Sequence, residues 1–392
     1  MPTKYLVNLR RSGSSNAISP RGRGSAFHRR LPGYAPTPLV DLPGVAARLG
    51  VRGVLAKLET DRFGLPSFKA LGASYAAYRA LVARLGEEPD WSTLAELGEA
   101  LRPLRPLTLR TATDGNHGRA VAWFARQVGL DARVFVPAGT AAARIDAIEG
   151  EGAQVEVVDG TYDLAVAVAA RFDERSDLVV SDTSWPGYED IPRWVSEGYL
   201  TIFAELDDQL DQLDQTPSLL AVQLGVGALG AAAAMWAEGR PLHVLGVEPS
   251  DADCVRTSIL HDRITEVPGP HRSSMAGLNC GLPSPVALPF VRDRFDGFIA
   301  IGDPPVCDAT RALDEEGVVA GETGAAGLAG LFETKLLPRL REAINLTPEA
   351  LVVTLVTEGA TDPAAYERIV SVGMGSVTPR ERSRIVDPLR GD

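Results

Sequence analysis

Short apolar runs recur along the chain at 54–58, 107–110, 134–136, 155–158, 178–181, 219–224, 243–247, 298–301 and 351–357, most of them followed closely by Gly, Pro, Asp or Ser. Between them lie helix-compatible stretches at 70–85, 118–128, 141–149, 162–175 and 325–336. Strands that alternate with helices predict parallel, largely buried sheets covered by helices on both faces, so the expected fold class is α/β. The alternation is interrupted twice. Residues 86–106 are rich in charge and proline and hold no strand, which predicts a helical crossing between two sub-structures, and 186–192 is a second irregular stretch. A smaller α/β domain is therefore expected at 76–199, inserted in a larger one built from 1–75 and 200–392, with 1–30 as a surface arm.

The run 219–237, LLAVQLGVGALGAAAAMWA, has about the length a bilayer needs, with Gln223 its only strongly polar residue. Gly225, Gly227 and Gly230 cluster at one point in it and split a Leu-rich strand from an Ala-rich helix. Strand, glycine turn and helix is therefore the expected structure, with no membrane span.

Composition narrows the picture further. The chain has 392 residues, 45% hydrophobic and 23% charged, which allows one or two domains with a sizeable core and excludes wholesale disorder. A net charge of −12 argues against nucleic acid or anionic lipid as partners. Within the first 40 residues, however, Lys4, Arg10, Arg11, Arg21, Arg23, Arg29 and Arg30 occur with no Asp or Glu. That bias fits a transit peptide or a surface arm; Pro20, Pro32, Pro36 and Pro38 and the lack of a clear amphipathic helix favour the arm. No apolar region follows Lys4, which argues against a secretory signal. The three cysteines, Cys254, Cys280 and Cys307, form no CxxC pair, and no His stands at ligand spacing. A disulfide framework and a metal site are not expected; unpaired thiols in a reducing cytoplasm are.

Three motifs carry candidate chemistry. Residues 62–69 read RFGLPSFK, an irregular loop that places Lys69 at the start of a helix. The positive end of the helix dipole disfavours the ammonium form there and favours the nucleophilic amine of a Schiff-base lysine, although a solvated surface lysine fits the same position. Thr113, Asp114, Gly115, Asn116 and His117 follow a strand and open a helix. Their backbone N–H groups can form a nest for a carboxylate, or the residues can serve as ordinary caps and turns. Gly225, Val226, Gly227, Ala228, Leu229 and Gly230 lie between a strand and a helix, the setting in which backbone amides hold a phosphate. They also satisfy GxGxxG, with Glu248 at the distance of a ribose-binding acid, so a dinucleotide site competes.

The order of the three motifs resembles pyridoxal-phosphate enzymes of fold type II, the tryptophan synthase β type. Within that group the blocks SFKALG at 67–72, TDGNHG at 113–118, DTSWPGY at 182–188, MAGLNCG at 275–281, ETGAAG at 322–327 and TEGATDP at 357–363 resemble the diaminopropionate ammonia-lyase family. The resemblance implies two domains, each a largely parallel sheet flanked by helices. It implies pyridoxal 5'-phosphate as cofactor, a small amino-acid substrate and a cytoplasmic homodimer. Position by position, it implies that Lys69 carries the cofactor, that the 225–230 turn holds its phosphate, and that Asn116 faces the ring hydroxyl. Thr357 would take the hydroxyl position opposite the ring nitrogen, and a neutral hydroxyl there keeps the electron sink moderate.

Asp114 departs from the threonine dehydratase relatives, which place a serine there. A carboxylate suits a substrate with a β-ammonium leaving group and can also take a proton, with Lys69 as a second base. Thr113, Gly115 and Asp182 are further substrate-binding candidates, Asp182 for the ammonium or as a plain cap. Ala360 stands where the family usually has an acid, which puts substrate range in question and keeps elimination or replacement on serine, threonine or another amino acid as an alternative. A non-catalytic phosphate-binding protein is the alternative from a different class. His117 is assigned no proton-transfer role.

Overall fold

The structure is a computed structural model that describes residues 3–12 and 22–372. Parts of the expected arm (1–2 and 13–21, including Arg21) and the end of the expected large domain (373–392) lie outside the described residues.

Eleven strands are described: β1 (Lys4–Val7), β2 (Leu39–Asp41), β3 (Gly53–Leu58), β4 (Thr108–Ala112), β5 (Asp131–Pro137), β6 (Gln154–Val158), β7 (Asp177–Val179), β8 (Leu219–Gln223), β9 (His243–Pro249), β10 (Gly297–Ile301) and β11 (Leu351–Val356). They form a seven-stranded sheet of order β1-β10-β9-β8-β11-β3-β2 and a four-stranded sheet of order β6-β5-β4-β7. All pairings are parallel except those of the two edge strands of the larger sheet, β1 on β10 and β2 on β3. The inner strands β8, β10 and β11 are buried at every residue, which is why they read as continuous apolar runs rather than as alternating patterns.

The run 219–237 divides as its glycines predict, into β8 and a helix Ala228–Ala237. Among the described residues no helix is long and apolar enough to cross a membrane. The helix expected over 162–175 is shorter, ending at Ala169.

Within the expected arm, β1 pairs with β10, and a helix Arg23–His28 buries Phe27 and His28. The basic residues there meet acids of the body: Lys4 with Asp253, Arg10 with Asp262, Arg11 with Asp296 and Arg29 with Asp208. The segment's charge is thus complementary to the rest of an acidic chain.

Two helices join the sheets. Lys69–Leu85 and Asp190–Gln212 cross where Gly72 faces Gly198, and both helices run through the positions 75/76 and 199/200 at which the domains were expected to divide. A Cβ on Gly198 would stand 2.6 Å from the Leu71 carbonyl oxygen, so the crossing requires glycine there.

Candidate active site

The carboxyl ends of β4, β7, β8 and β11, together with the loop after β3, open into one pocket. It is lined by Lys69, Thr113, Asp114, Gly115, Asn116, Asp182, the turn Gly225 to Gly230 and Thr357. The residues expected from sequence to be catalytic or to bind cofactor or substrate therefore meet in one place, at the strand ends where ligands of parallel α/β sheets bind.

Lys69 is held there by its loop. Arg62 and Leu65 exchange backbone hydrogen bonds (2.8 and 3.1 Å) around Phe63 and Gly64, which both have positive φ. The Arg62 guanidinium is buried between Glu59 (2.6 Å) and Glu205 (2.7 Å). The loop's far end docks on the strand that enters from β11: Phe68 N–H donates to the Thr357 carbonyl (3.3 Å), and Gly359 N–H to Pro66 (3.0 Å). Lys69 then begins the helix.

Its Nζ donates to Asp182 Oδ2 at 2.6 Å. Burial pulls Lys69 toward the neutral amine, but the carboxylate outweighs it and holds the lysine above its ordinary pKa. The expectation that the helix dipole leaves Lys69 as a free amine is corrected here: a contact ion pair is a stronger influence than partial charges at a helix end. Asp182 is held well below the carboxylate range, burial notwithstanding, by the charge of Lys69 and by the hydrogen bonds it accepts. Its other oxygen accepts from the Tyr162 hydroxyl (3.0 Å).

The turn after β4 needs Gly115, whose φ of 147° no L side chain adopts comfortably. Thr113 Oγ1 accepts from its N–H (2.9 Å), and Asn116 starts the helix Asn116–Gln127. The Asn116 amide donates to Glu358. Asp114 lines the pocket beside Arg144; burial raises its carboxyl, Arg144 opposes this, and the result is about 8.

After β8, Gly227 has a φ of 101° and opens the helix Ala228–Ala237. From Gly225 onward, the first backbone N–H in this turn that meets an acceptor among the described residues is that of Ala231, donating to Gly227 (2.8 Å). A Cβ on Gly225 would come within 3.2 Å of the Gly277 carbonyl. Glu248, the residue a dinucleotide site would use, is instead fully buried and accepts from the N–H groups of Val255 and Arg256 (both 2.8 Å). That removes the observation on which the dinucleotide reading stood.

Thr357 Oγ1 accepts from Gln223 Nε2 at 2.6 Å, so its own proton is free to donate into the pocket. The pocket fits pyridoxal phosphate on three counts: unpaired amides at a helix N-terminus for the phosphate, a hydroxyl donor for a ring nitrogen, and one lysine amine.

Several lining residues have no role in the sequence reading: Arg144, Tyr162, Gln223, Cys280 and Glu358. Gln223 carried a usable signal, a polar side chain at the end of an apolar strand, and Glu358 lies inside the TEGATDP block. Arg144 and Tyr162 carried none. Among the described residues the three cysteines are free, and no group of His, Cys, Asp or Glu is placed to hold a metal ion.

Comparison with known proteins agrees with this geometry. Residues 30–358 match the family model described as pyridoxal-phosphate dependent enzyme. The diaminopropionate ammonia-lyase of Escherichia coli (strain K12) is 35% identical over 366 residues, 90% of this chain and 92% of the relative. The crystal structure of the Escherichia coli enzyme in complex with D-serine superposes with a TM-score of 0.87 at 32% identity, over 96% of this chain and 99% of the other. Its structure in complex with an aminoacrylate-PLP azomethine reaction intermediate gives 0.85 at 32% identity, over the same shares. The chain belongs to the pyridoxal-phosphate-dependent enzymes and, within them, to the diaminopropionate ammonia-lyase family.

Proposed function

We propose that the chain is a carbon–nitrogen lyase that converts 2,3-diaminopropionate and water to pyruvate and two ammonia molecules. The observation that carries this reading is the presence of two carboxyl groups, Asp114 and Asp182, in the pocket that holds Lys69. A substrate with a second amine brings a second cation, and buried carboxylates lower the cost of placing it there.

When bound, pyridoxal phosphate supplies an electron sink for the electron pair left at the substrate's α-carbon. Lys69 would be its attachment point, and the Gly225 to Gly230 turn would cradle its phosphate. Thr357, its hydroxyl oriented by Gln223, would serve the ring nitrogen. Asn116, oriented by Glu358, would serve the ring hydroxyl. The 113–116 turn offers its backbone N–H groups to the substrate carboxylate. Asp114 and Lys69 are the groups that take the α-proton. Asp114 suits this because its affinity for a proton, near pH 8, lies close to working pH. Asp182 faces the leaving amine and keeps Lys69 charged until that pair is broken.

The alternative, elimination from serine or threonine, draws on Ala360, which stands where the family usually has an acid; among the described residues the Arg144 side chain hydrogen-bonds to the Asp114 carbonyl (3.5 Å) and Thr361 Oγ1 (3.4 Å). Measuring kcat/KM for diaminopropionate, serine and threonine with the cofactor-loaded protein decides between them. A clear preference for diaminopropionate is expected, and a preference for a hydroxy amino acid would overturn the reading.

The homodimer, the cytoplasm and the division into domains at 75/76 and 199/200 belong to the same proposal. Three free thiols, two of them buried, support a reducing compartment.

A further inference from the structure

His117 is 3% exposed, lines the pocket, and makes one hydrogen bond, from Nε2 to the Val180 carbonyl at 2.9 Å. A carbonyl can only accept, so Nε2 carries the proton and Nδ1 of the neutral ring is a bare acceptor. Nδ1 is buried and meets no donor among the described residues. Burial lowers the ring's proton affinity more than nearby Asp182 raises it, so the acceptor form persists. An unmet buried acceptor costs free energy, and one that lines a ligand pocket is relieved when a ligand brings a donor.

The groups around it sort the possible donors. Lys69 and Tyr162 already donate to Asp182, and Asp114 and Asp182 are acids. Building on the proposed diaminopropionate reaction, we infer that His117 Nδ1 accepts a hydrogen bond from the side-chain amine of the bound substrate and makes this end of the pocket selective for an amine over a hydroxyl. An ammonium has three N–H groups and can satisfy Asp182 and His117 together. A hydroxyl has one hydrogen and leaves one of the two acceptors unmet. The neutral ring adds no positive charge beside the ammonium, which a lysine or arginine at this position would do.

Two measurements test the inference. The holoenzyme is labelled with ¹⁵N in its five histidines, and the His117 Nδ1 resonance is followed during titration with ammonium chloride and, as a control without N–H groups, tetramethylammonium chloride. The resonance is expected to start at the position of a non-protonated nitrogen and to move with ammonium only. An unmoved resonance, or equal movement with both salts, overturns the inference. The second measurement compares His117→Gln, which keeps an amide nitrogen for Val180 but has nothing at the δ position, with His117→Asn, which returns an acceptor there. The Gln variant is expected to lose about 10-fold or more in kcat/KM for diaminopropionate through KM, with serine changed by less than about 2-fold and with the Asn variant recovering part of the loss. Equal losses on both substrates would reveal a purely structural histidine and overturn the inference. If the wild-type protein releases no ammonia from diaminopropionate, the proposed reaction fails while the ammonium titration still decides the role of His117.

Discussion

Lys69 and Asp182, 113 positions apart in sequence, form a 2.6 Å ion pair that joins the lysine loop of the large sheet to the strand end of the small one. The pair makes the reactivity of the amine depend on the carboxylate. Asp182→Asn removes the charge that holds Lys69 protonated, so cofactor capture by the apo protein should reach half its maximal rate at a pH lower by about one unit or more. Stopped-flow absorbance of pyridoxal phosphate mixed with each variant measures this. An unchanged pH midpoint would mean that Asp182 does not govern Lys69.

The Asp114 carboxyl, raised to about 8, predicts the shape of the pH profile. The base form grows as pH rises, so kcat/KM for diaminopropionate should climb through about pH 8 and level off above it. Asp114→Asn should remove that limb and lower the rate about 100- to 10,000-fold, the usual contribution of a general base. Asp114→Ser should lower activity on diaminopropionate more than on serine. A rising limb that survives both substitutions belongs to another group.

Gly227 has a φ of 101° at the N-terminus of the Ala228–Ala237 helix. Gly227→Val penalises that conformation and places a side chain where the phosphate must approach the amides. Dialysis followed by titration with pyridoxal phosphate should show affinity weakened by about 10-fold or more, each factor of ten being about 1.4 kcal/mol. Lys69 should still capture cofactor in large excess. Wild-type affinity would place the phosphate elsewhere.

At the crossing of the two long helices, the propensity of alanine would stabilise either helix relative to glycine, and sterics decide the sign. A Cβ at Gly72 would meet the Tyr199 ring at 2.5 Å, whereas one at Gly198 would meet backbone, the Leu71 carbonyl oxygen, at 2.6 Å. A ring can shift more easily than a main chain. Gly198→Ala should therefore cost about 1–3 kcal/mol and more than Gly72→Ala, read as the two drops in Tm or denaturant midpoint. The reverse order would contradict this account of the crossing.

The features that were legible in the sequence are local ones. Nine parallel strands show as apolar runs; in the large sheet the inner ones do so because burial on both faces leaves no alternation to interpret, whereas β6, at an edge of the small sheet, is mostly exposed. The edge strands β1 and β2 were missed: Lys4–Val7 is short and begins with a charge in a basic segment, and its pairing with β10 depends on residues almost 300 positions away. Lys69, the 113–116 turn and the glycine turn announce themselves by position, each between a strand and a helix. Tyr162 and Arg144 matter only through contacts with Asp182 and the Asp114 and Thr361 region, which no local pattern encodes. The Lys69 charge state was misread for the same reason, since the dipole is local and Asp182 is not.

The most direct test of the central claim is the ratio of products. Purified protein loaded with pyridoxal phosphate and given 2,3-diaminopropionate should form pyruvate and ammonia in a 1:2 ratio, because both nitrogens leave the carbon skeleton. Lys69→Ala should form neither by steady-state turnover. Absence of pyruvate, or a ratio of 1:1, would contradict the assignment of this pocket to ammonia elimination from a diamino acid.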